Sequence, residues 1–427
     1  MTKPKLHKLK NGLRVLLVPM PDSASVTTAV FVKAGSSYEN KYNSGISHFL
    51  EHMCFKGTEK YPRPIDVSIA LEQIGAHHNA FTSRDWTGYY AKTAPRYFER
   101  AFDVVSELYL HPHIDEIEMQ KEKGVIIEEI HMYDDDPRAK VGEVLEQGLY
   151  GNQPAGWSVA GTEEHIKNTT RDMFVSYRDA RYSPAHTVVV VSGAFDSRKV
   201  LRSVETIFGT MLKKTNASLH APSLQTRMQG NDISIIERTL DQTHFTLGFY
   251  AEPASSKNRF AISLLTKILG GSMSSRLFQR VREDLGAAYY VGSSQNAYAT
   301  HGYVDVFAGV NHGKLEKALE AIMKEITAIT QEGVTTKELR RAQDYSIGTF
   351  MLSLESSSDM AFYYGQQETV LHKIESPKNI IEGIKAVSIE NIQTMARKIF
   401  NKKTMKFAII GPYKKKEEKK FRKLLRG

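Results

Sequence analysis

The 427-residue sequence repeats itself once, and that repeat limits the folds open to it more than any other feature. "TTAVFVKAG" at 27–35 matches "THFTLGFYA" at 243–251, and "NSGISHFLEHMCFK" at 43–56 matches "NRFAISLLTKILGG" at 258–271. "YFERAFDVVSELYLHP" (97–112) matches "KLEKALEAIMKEITAIT" (314–330), and "IDEIEMQKEKGVIIEEI" (114–130) matches "VTTKELRRAQDYSIGTFM" (334–351). "TVVVVSGAF" (187–195) matches "KFAIIGPY" (406–413), so the offset stays at about 215–220 residues. One fold has been duplicated. The expected domains are 1–215 and 231–427, joined by a polar linker at 216–230. A hydrophobic content of 41% is enough for a core in each.

The first copy reads as alternating element types. "LRVLLVPM" and "SVTTAVFVKAG" are β-rich, and "SGISHFLEHMCF" is helical, closing before Gly57. "PRPIDVSIALEQIG" is a second helix, with Pro64 near its start and Gly75 at its end. "HHNAFTSRDWTGYYAKT" alternates like two strands joined by a turn. Helices over 98–110 and 115–133 follow, and "VVVVSGAF" is a buried strand.

Within the first helix stands "HFLEH". At about 100° per residue, positions i, i+3 and i+4 share a helical face, so His48, Glu51 and His52 project together. Two imidazoles four apart can share a metal ion, and a carboxylate beside them can take a proton from the attacking water. A surface helix with polar residues gives the same five letters. The second copy is an internal control: at the matching places it carries Ser263, Thr266 and Lys267. The fold is therefore built without these side chains, which argues for a function confined to the first half.

The blocks "GSSYEN…GISHFLEHMCFKGT", "IGAHHNAFTSRDWTGYYA", "EKGVIIEEIHMYDDDP", "VAGTEEHIKNTT" and "LGGSMSSRLFQRVREDLGAAYYV" make nearly the whole chain resemble the pitrilysin/insulinase family of zinc peptidases. It is most similar to the half-length type that includes the catalytic subunit of the mitochondrial processing peptidase. The resemblance implies an α+β fold of two homologous domains, each a mostly antiparallel sheet flanked by helices. It implies one Zn2+ per chain. The family's His-x-x-Glu-His is followed by 76 residues and a glutamate, which makes His48, His52 and Glu129 the metal ligands. Glu128 competes by adjacency, but consecutive helical residues diverge and only one can face the metal. By the same resemblance Glu51 is the general base, and Glu122 matches a further acidic position that assists it. Asn79 and Ala80 match a sheet edge that pairs with the substrate backbone, which sets His77 and His78 aside as ligands. Arg282 and Tyr289 match a pair that contacts substrate or the developing oxyanion, with Tyr290 on the opposite side of the strand.

Other features exclude functions. One cysteine, Cys54, rules out an intrachain disulfide and a cysteine-based zinc site, and a core position is expected for it. The apolar run at 15–20 is too short to span a bilayer or to form a signal core, so no membrane span and a cytoplasmic location are expected. The net charge of +9 includes +6 from residues 414–427, and no nucleic-acid motif accompanies that basic tail. "LGGSMSSR" lacks the lysine of a nucleotide loop. The expected activity is a zinc-dependent endopeptidase that hydrolyses unfolded peptides or leader sequences inside a clamshell. Family clamshells use four such domains, and this chain has two, so a homodimer is expected, or a heterodimer with a related subunit. The competing function is a non-catalytic scaffold or assembly subunit of the same fold. Family members of that kind have eroded metal motifs, whereas all four motif residues stand here.

Overall fold

A computed structural model describes residues 3–212, 224 and 230–426. The expected linker 216–230, apart from Leu224 and Gly230, lies outside the described residues. The chain forms two compact units, 1–130 with 158–223 and 351–376, and 131–157 with 224–350 and 377–427. The halves of the sequence thus exchange a segment each, and the units are not the continuous stretches 1–215 and 231–427.

The first unit holds six strands: β1 (Lys5–Lys8), β2 (Arg14–Pro19), β3 (Val26–Val32), β4 (His77–Thr82), β5 (Thr87–Thr93) and β6 (Thr187–Gly193). They lie in the order β1-β2-β6-β3-β5-β4, antiparallel except for the parallel pair β2/β6. β3 and β6 are buried along their whole length, because helices cover both faces of the sheet. On one face lies the helix Phe98–Leu110, against β3 and β5; on the other lies Ser357–Gln366, against β3 and β6. The first of these faces also carries the helix α1 (Ile46–Cys54), whose Ile46, Phe49, Leu50 and Met53 enter the core. Downstream, α2 (Glu116–Asp135) carries the glutamates expected at the site.

The second unit repeats the plan with β7 (Ile233–Glu237), β8 (Thr243–Ala251), β9 (Ala288–Ala297), β10 (Gly302–Val310) and β11 (Lys406–Gly411). Their order is β7-β11-β8-β10-β9, with only β7/β11 parallel. Strand for strand this is the order and direction of β2-β6-β3-β5-β4. The expected duplication and the mostly antiparallel sheets are both present. Here the second helix layer is Pro137–Tyr150, against β8 and β11.

These layer contacts are tight where glycine stands. A Cβ on Gly365 would meet the Phe31 ring at 2.2 Å, so the helix Ser357–Gln366 lies on β3 without room for a methyl. Gly365→Ala should therefore cost about 1–3 kcal/mol by overpacking. The thermal midpoint is expected to fall by several degrees; an unchanged midpoint would mean the helix does not approach Phe31 as closely as this.

Candidate metal and catalytic centre

The site is built on α1, and the helix start is held in three ways. Gly45, its first cap, has φ +89, and a Cβ there would meet the Ala160 carbonyl at 2.6 Å. Gly161 approaches from the other side under the same restriction, with φ +75 and Ser44 O at 2.6 Å from its would-be Cβ. Glu39, 1% exposed, accepts from the Gly45 and Ser47 amides at 2.8 and 2.9 Å. Burial pushes its carboxyl up to about 6, against the pull of those hydrogen bonds.

With the apolar stripe of α1 in the core, His48, Glu51 and His52 occupy the remaining, half-buried face. Nε2 of His48 and Nε2 of His52 are 3.3 Å apart. Glu129 Oε2 lies 3.6 Å from the first and 3.5 Å from the second. Bonds of zinc to nitrogen and oxygen at tetrahedral angles separate ligand atoms by about 3.3–3.5 Å, so the donor set fits zinc in chemistry and in spacing. Among the described residues this is the one group of three that could hold a metal. Glu128 is exposed and stands outside it.

The second ring nitrogen of His52 is fixed by Glu122. Nδ1 of His52 and Oε1 of Glu122 are 2.8 Å apart, and the other carboxylate oxygen holds the Lys56 ammonium. Nδ1–H donating to Glu122 leaves the Nε2 lone pair for a metal. Burial opposes a charged His52, but the Glu122 hydrogen bond and the carboxylates of Glu51 and Glu129 outweigh it and make the ring more basic than usual. Burial also raises Glu122, yet His52 and Lys56 hold it below the usual carboxylate range. His48 is pulled down to about 4 by burial and by His52, so it is neutral and ready to ligate.

Glu51 points to the same place. Burial raises its carboxyl, Thr82 and His52 pull it back, and Glu129 pushes it up, leaving it above the ordinary range. Its Oε2 accepts from the Thr82 hydroxyl at 2.7 Å. Among the described residues Oε1 has no hydrogen-bond partner.

The remaining expected residues fall in two places. Asn79 and Ala80 are on β4, the edge strand of the first sheet, where Asn79 Oδ1 accepts from the Ala80 amide at 2.9 Å. His77 and His78 lie on the same strand and take no part in the metal group. Cys54 is fully buried against the Tyr89 hydroxyl, as expected of a core thiol. Arg282 and Tyr289 belong to the second unit, not to the one that holds the metal group. There Gly309 pairs with Tyr290 and Val310 with Ala288, so Tyr289 is the extra residue of a β-bulge and projects 73% exposed. The Arg282 guanidinium, in the π-helical turn Phe278–Asp284, is 5.9 Å from its ring centre. Tyr290 turns the other way, onto His244 Nδ1 at 2.8 Å, with Arg138 over its ring. Glu39, Lys56 and Thr82 were not singled out from sequence. Thr82 alone had a signal there, being two residues beyond Ala80 on an alternating strand.

Comparison with known proteins gives the family. Residues 14–163 match the family model "Insulinase (Peptidase family M16)", and residues 168–345 match "Peptidase M16 inactive domain". The uncharacterized zinc protease YmxG of Bacillus subtilis is 35% identical over 96% of this chain and 98% of its own. An uncharacterized zinc protease of Rickettsia felis is 34% identical over 95% and 97%.

The chain belongs to peptidase family M16.

Solved structures share the fold. A protease from Helicobacter pylori superposes with a TM-score of 0.89 at 22% identity, covering 96% of this chain and 99% of its own. A chain of complex III2 from Candida albicans reaches 0.83 at 16% identity, covering 99% of both. The M16 model called inactive falls on the stretch where Ser263, Thr266 and Lys267 replace the motif residues. Among the described residues no helix of this M16 chain is long and apolar enough to cross a membrane.

Zinc titrations of three variants separate the roles at this centre. Glu129→Gln should lose most of the affinity, as a ligand. Glu122→Gln should lose about 10- to 100-fold, as the residue that orients a ligand. Glu51→Gln should keep wild-type zinc. Loss of zinc from Glu51→Gln, or retention by Glu129→Gln, would reverse the assignment of base and ligand.

Proposed function

We propose that the protein is a zinc-dependent endopeptidase that hydrolyses unfolded peptides or leader sequences inside a closed chamber formed by two copies of the chain. The observation that carries this reading is the convergence of His48, His52 and Glu129 at tetrahedral spacing, with Glu51 on the same helix and in electrostatic contact with His52 and Glu129. Zinc held there would supply Lewis acidity, polarising the scissile carbonyl and acidifying the attacking water.

The rest is the work of this chain's residues. Glu51 Oε1 takes the proton of the water and returns it to the leaving amine. Glu122 keeps His52 in the ligating tautomer. The outer edge of β4, at Asn79 and Ala80, pairs with the substrate main chain, a mode that tolerates many sequences. Arg282 and Tyr289 present a guanidinium and a phenol, the donors suited to a developing oxyanion. Family clamshells use four domains, so these two side chains act on the metal centre of the partner copy, giving two composite sites. The same reading places the enzyme in the cytoplasm, supported by its single, buried cysteine. One fold can host unrelated functions, so fold alone does not separate enzyme from scaffold; the grouping of His48, His52 and Glu129 favours the enzyme.

Two inactive variants test both activity and assembly: Glu51→Gln, and Arg282→Ala combined with Tyr289→Phe. Each alone should fail to cleave a quenched peptide. Mixed after subunit exchange, they should recover up to about a quarter of wild-type activity, because one of the two sites in each mixed dimer is intact. No recovery would mean that Arg282 and Tyr289 do not act in trans; cleavage by Glu51→Gln alone would remove Glu51 as the base, and no cleavage by the zinc-loaded wild-type protein would remove the peptidase reading.

A further inference from the structure

We infer that Thr82 is the positioning residue of the base: its hydroxyl holds one oxygen of Glu51 so that the other is presented to the attacking water. The inference rests on the peptidase reading above. The Thr82 Oγ1 to Glu51 Oε2 distance is 2.7 Å, the shortest contact either polar group makes. A hydroxyl carries one hydrogen, and an ionised carboxylate only accepts, so Thr82 donates. Its other neighbours are farther: the Ser47 carbonyl at 3.5 Å and the Thr87 hydroxyl at 3.4 Å. Thr87 spends its own hydrogen on the Ala34 carbonyl at 2.9 Å.

Strand geometry makes Thr82 the residue able to do this. Side chains alternate along β4, so His78, Ala80 and Thr82 share one face. Ala80 on that face is buried in the same core as Ile46, Phe49 and Leu50 of α1. Phe81, on the opposite face, packs among Phe31, Trp86 and Phe362. Thr82 is thus the last strand residue facing α1, and it stands within hydrogen-bond reach of Glu51.

Its backbone is pinned. The Ser36 amide donates to the Ser83 carbonyl at 3.3 Å and the Ser37 amide to the Arg84 carbonyl at 2.8 Å. Across the ladder Thr82 pairs with Thr87. A long, three-torsion glutamate side chain is therefore tied to a rigid strand end. That strand is also the one proposed to receive the substrate at Asn79 and Ala80, so a single element aims the base and holds the peptide.

Thr82→Val keeps the shape and removes the hydroxyl; Thr82→Ser keeps the hydroxyl. Thr82→Val should lower kcat for a quenched peptide by about 10- to 100-fold, the order expected for a hydrogen bond to a charged acceptor. KM, zinc content per chain and the thermal midpoint should stay at wild-type values. Thr82→Ser should restore at least about half of kcat, as a kept hydroxyl requires. Undiminished kcat in Thr82→Val, or a Thr82→Ser variant no better than Thr82→Val, overturns the inference. If Thr82→Val loses zinc or stability, Thr82→Ser against Thr82→Ala decides by the same criterion. The wild-type protein loaded with zinc, in the same assay, keeps the two readings apart: its cleavage beside a fully active Thr82→Val removes only the role of Thr82, while its failure to cleave removes the peptidase reading itself.

Discussion

A sheet whose central strands are buried on both faces needs two layers of helix, and in this protein neither half of the sequence supplies both layers to its own sheet. β3 and β6 have no exposed residue along their length. Helices from the same half cover one face, and the other is covered by Ser357–Gln366, which comes from the second half. The reciprocal helix, Pro137–Tyr150, leaves the first half to cover β8 and β11. The burial demand of these valine-rich strands is thus met by the segment that each half gives to the other unit. The chain crosses between units at the ends of the two long helices that follow each sheet's hairpin, α2 in the first half and Thr336–Leu352 in the second.

The candidate metal centre inherits its rigidity from that scaffold. α1 places an apolar stripe in the core and so has one face left for chemistry. Glu39, buried and bound to two amides at the helix start, and the facing glycines Gly45 and Gly161 leave the helix little freedom to slide or rotate. With backbone position set, Glu122 sets the His52 ring and Thr82 sets the Glu51 carboxylate. The short blocks that carry the family resemblance are explained by this convergence. "GSSYEN" and "VAGTEE" are distant in sequence, but both supply contacts to the start of α1.

Most elements were legible because each carries its own period. The i, i+3, i+4 stripe of α1, the alternation of 77–93 and the valine run of β6 each report one element and its buried side. Helical spacing made the pair His48 and His52 legible, while Glu129 came from the family resemblance; the structure brings the three together. What the sequence did not disclose is relational. Periodicity says that a helix has an apolar face, not which sheet that face will cover, so the exchange of Pro137–Tyr150 and Ser357–Gln366 left no local mark. Glu39 is equally silent: an acidic residue in a loop is ordinarily solvated, and only the folded chain shows its two amide partners. Tyr289 was picked out by resemblance, but its exposure has a separate physical origin, the bulge that inserts it opposite Gly309 and Val310.

The duplication then shows what chemistry requires beyond the fold. The same strand order and the same helix stand in both units, yet only one carries imidazoles and a carboxylate at the matching places. In the second, Lys267 stands where His52 would be, and its ammonium lies 6.0 Å from the Tyr345 ring centre instead of serving as a ligand. The second unit departs from regular geometry elsewhere, at the π-helical turn of Arg282 and the bulge of Tyr289. Such irregularities cost stability and persist where they aim side chains. Of the two copies of one scaffold, the first brings His48, His52 and Glu129 together on regular helices, and the second exposes Arg282 and Tyr289 where regular spacing breaks.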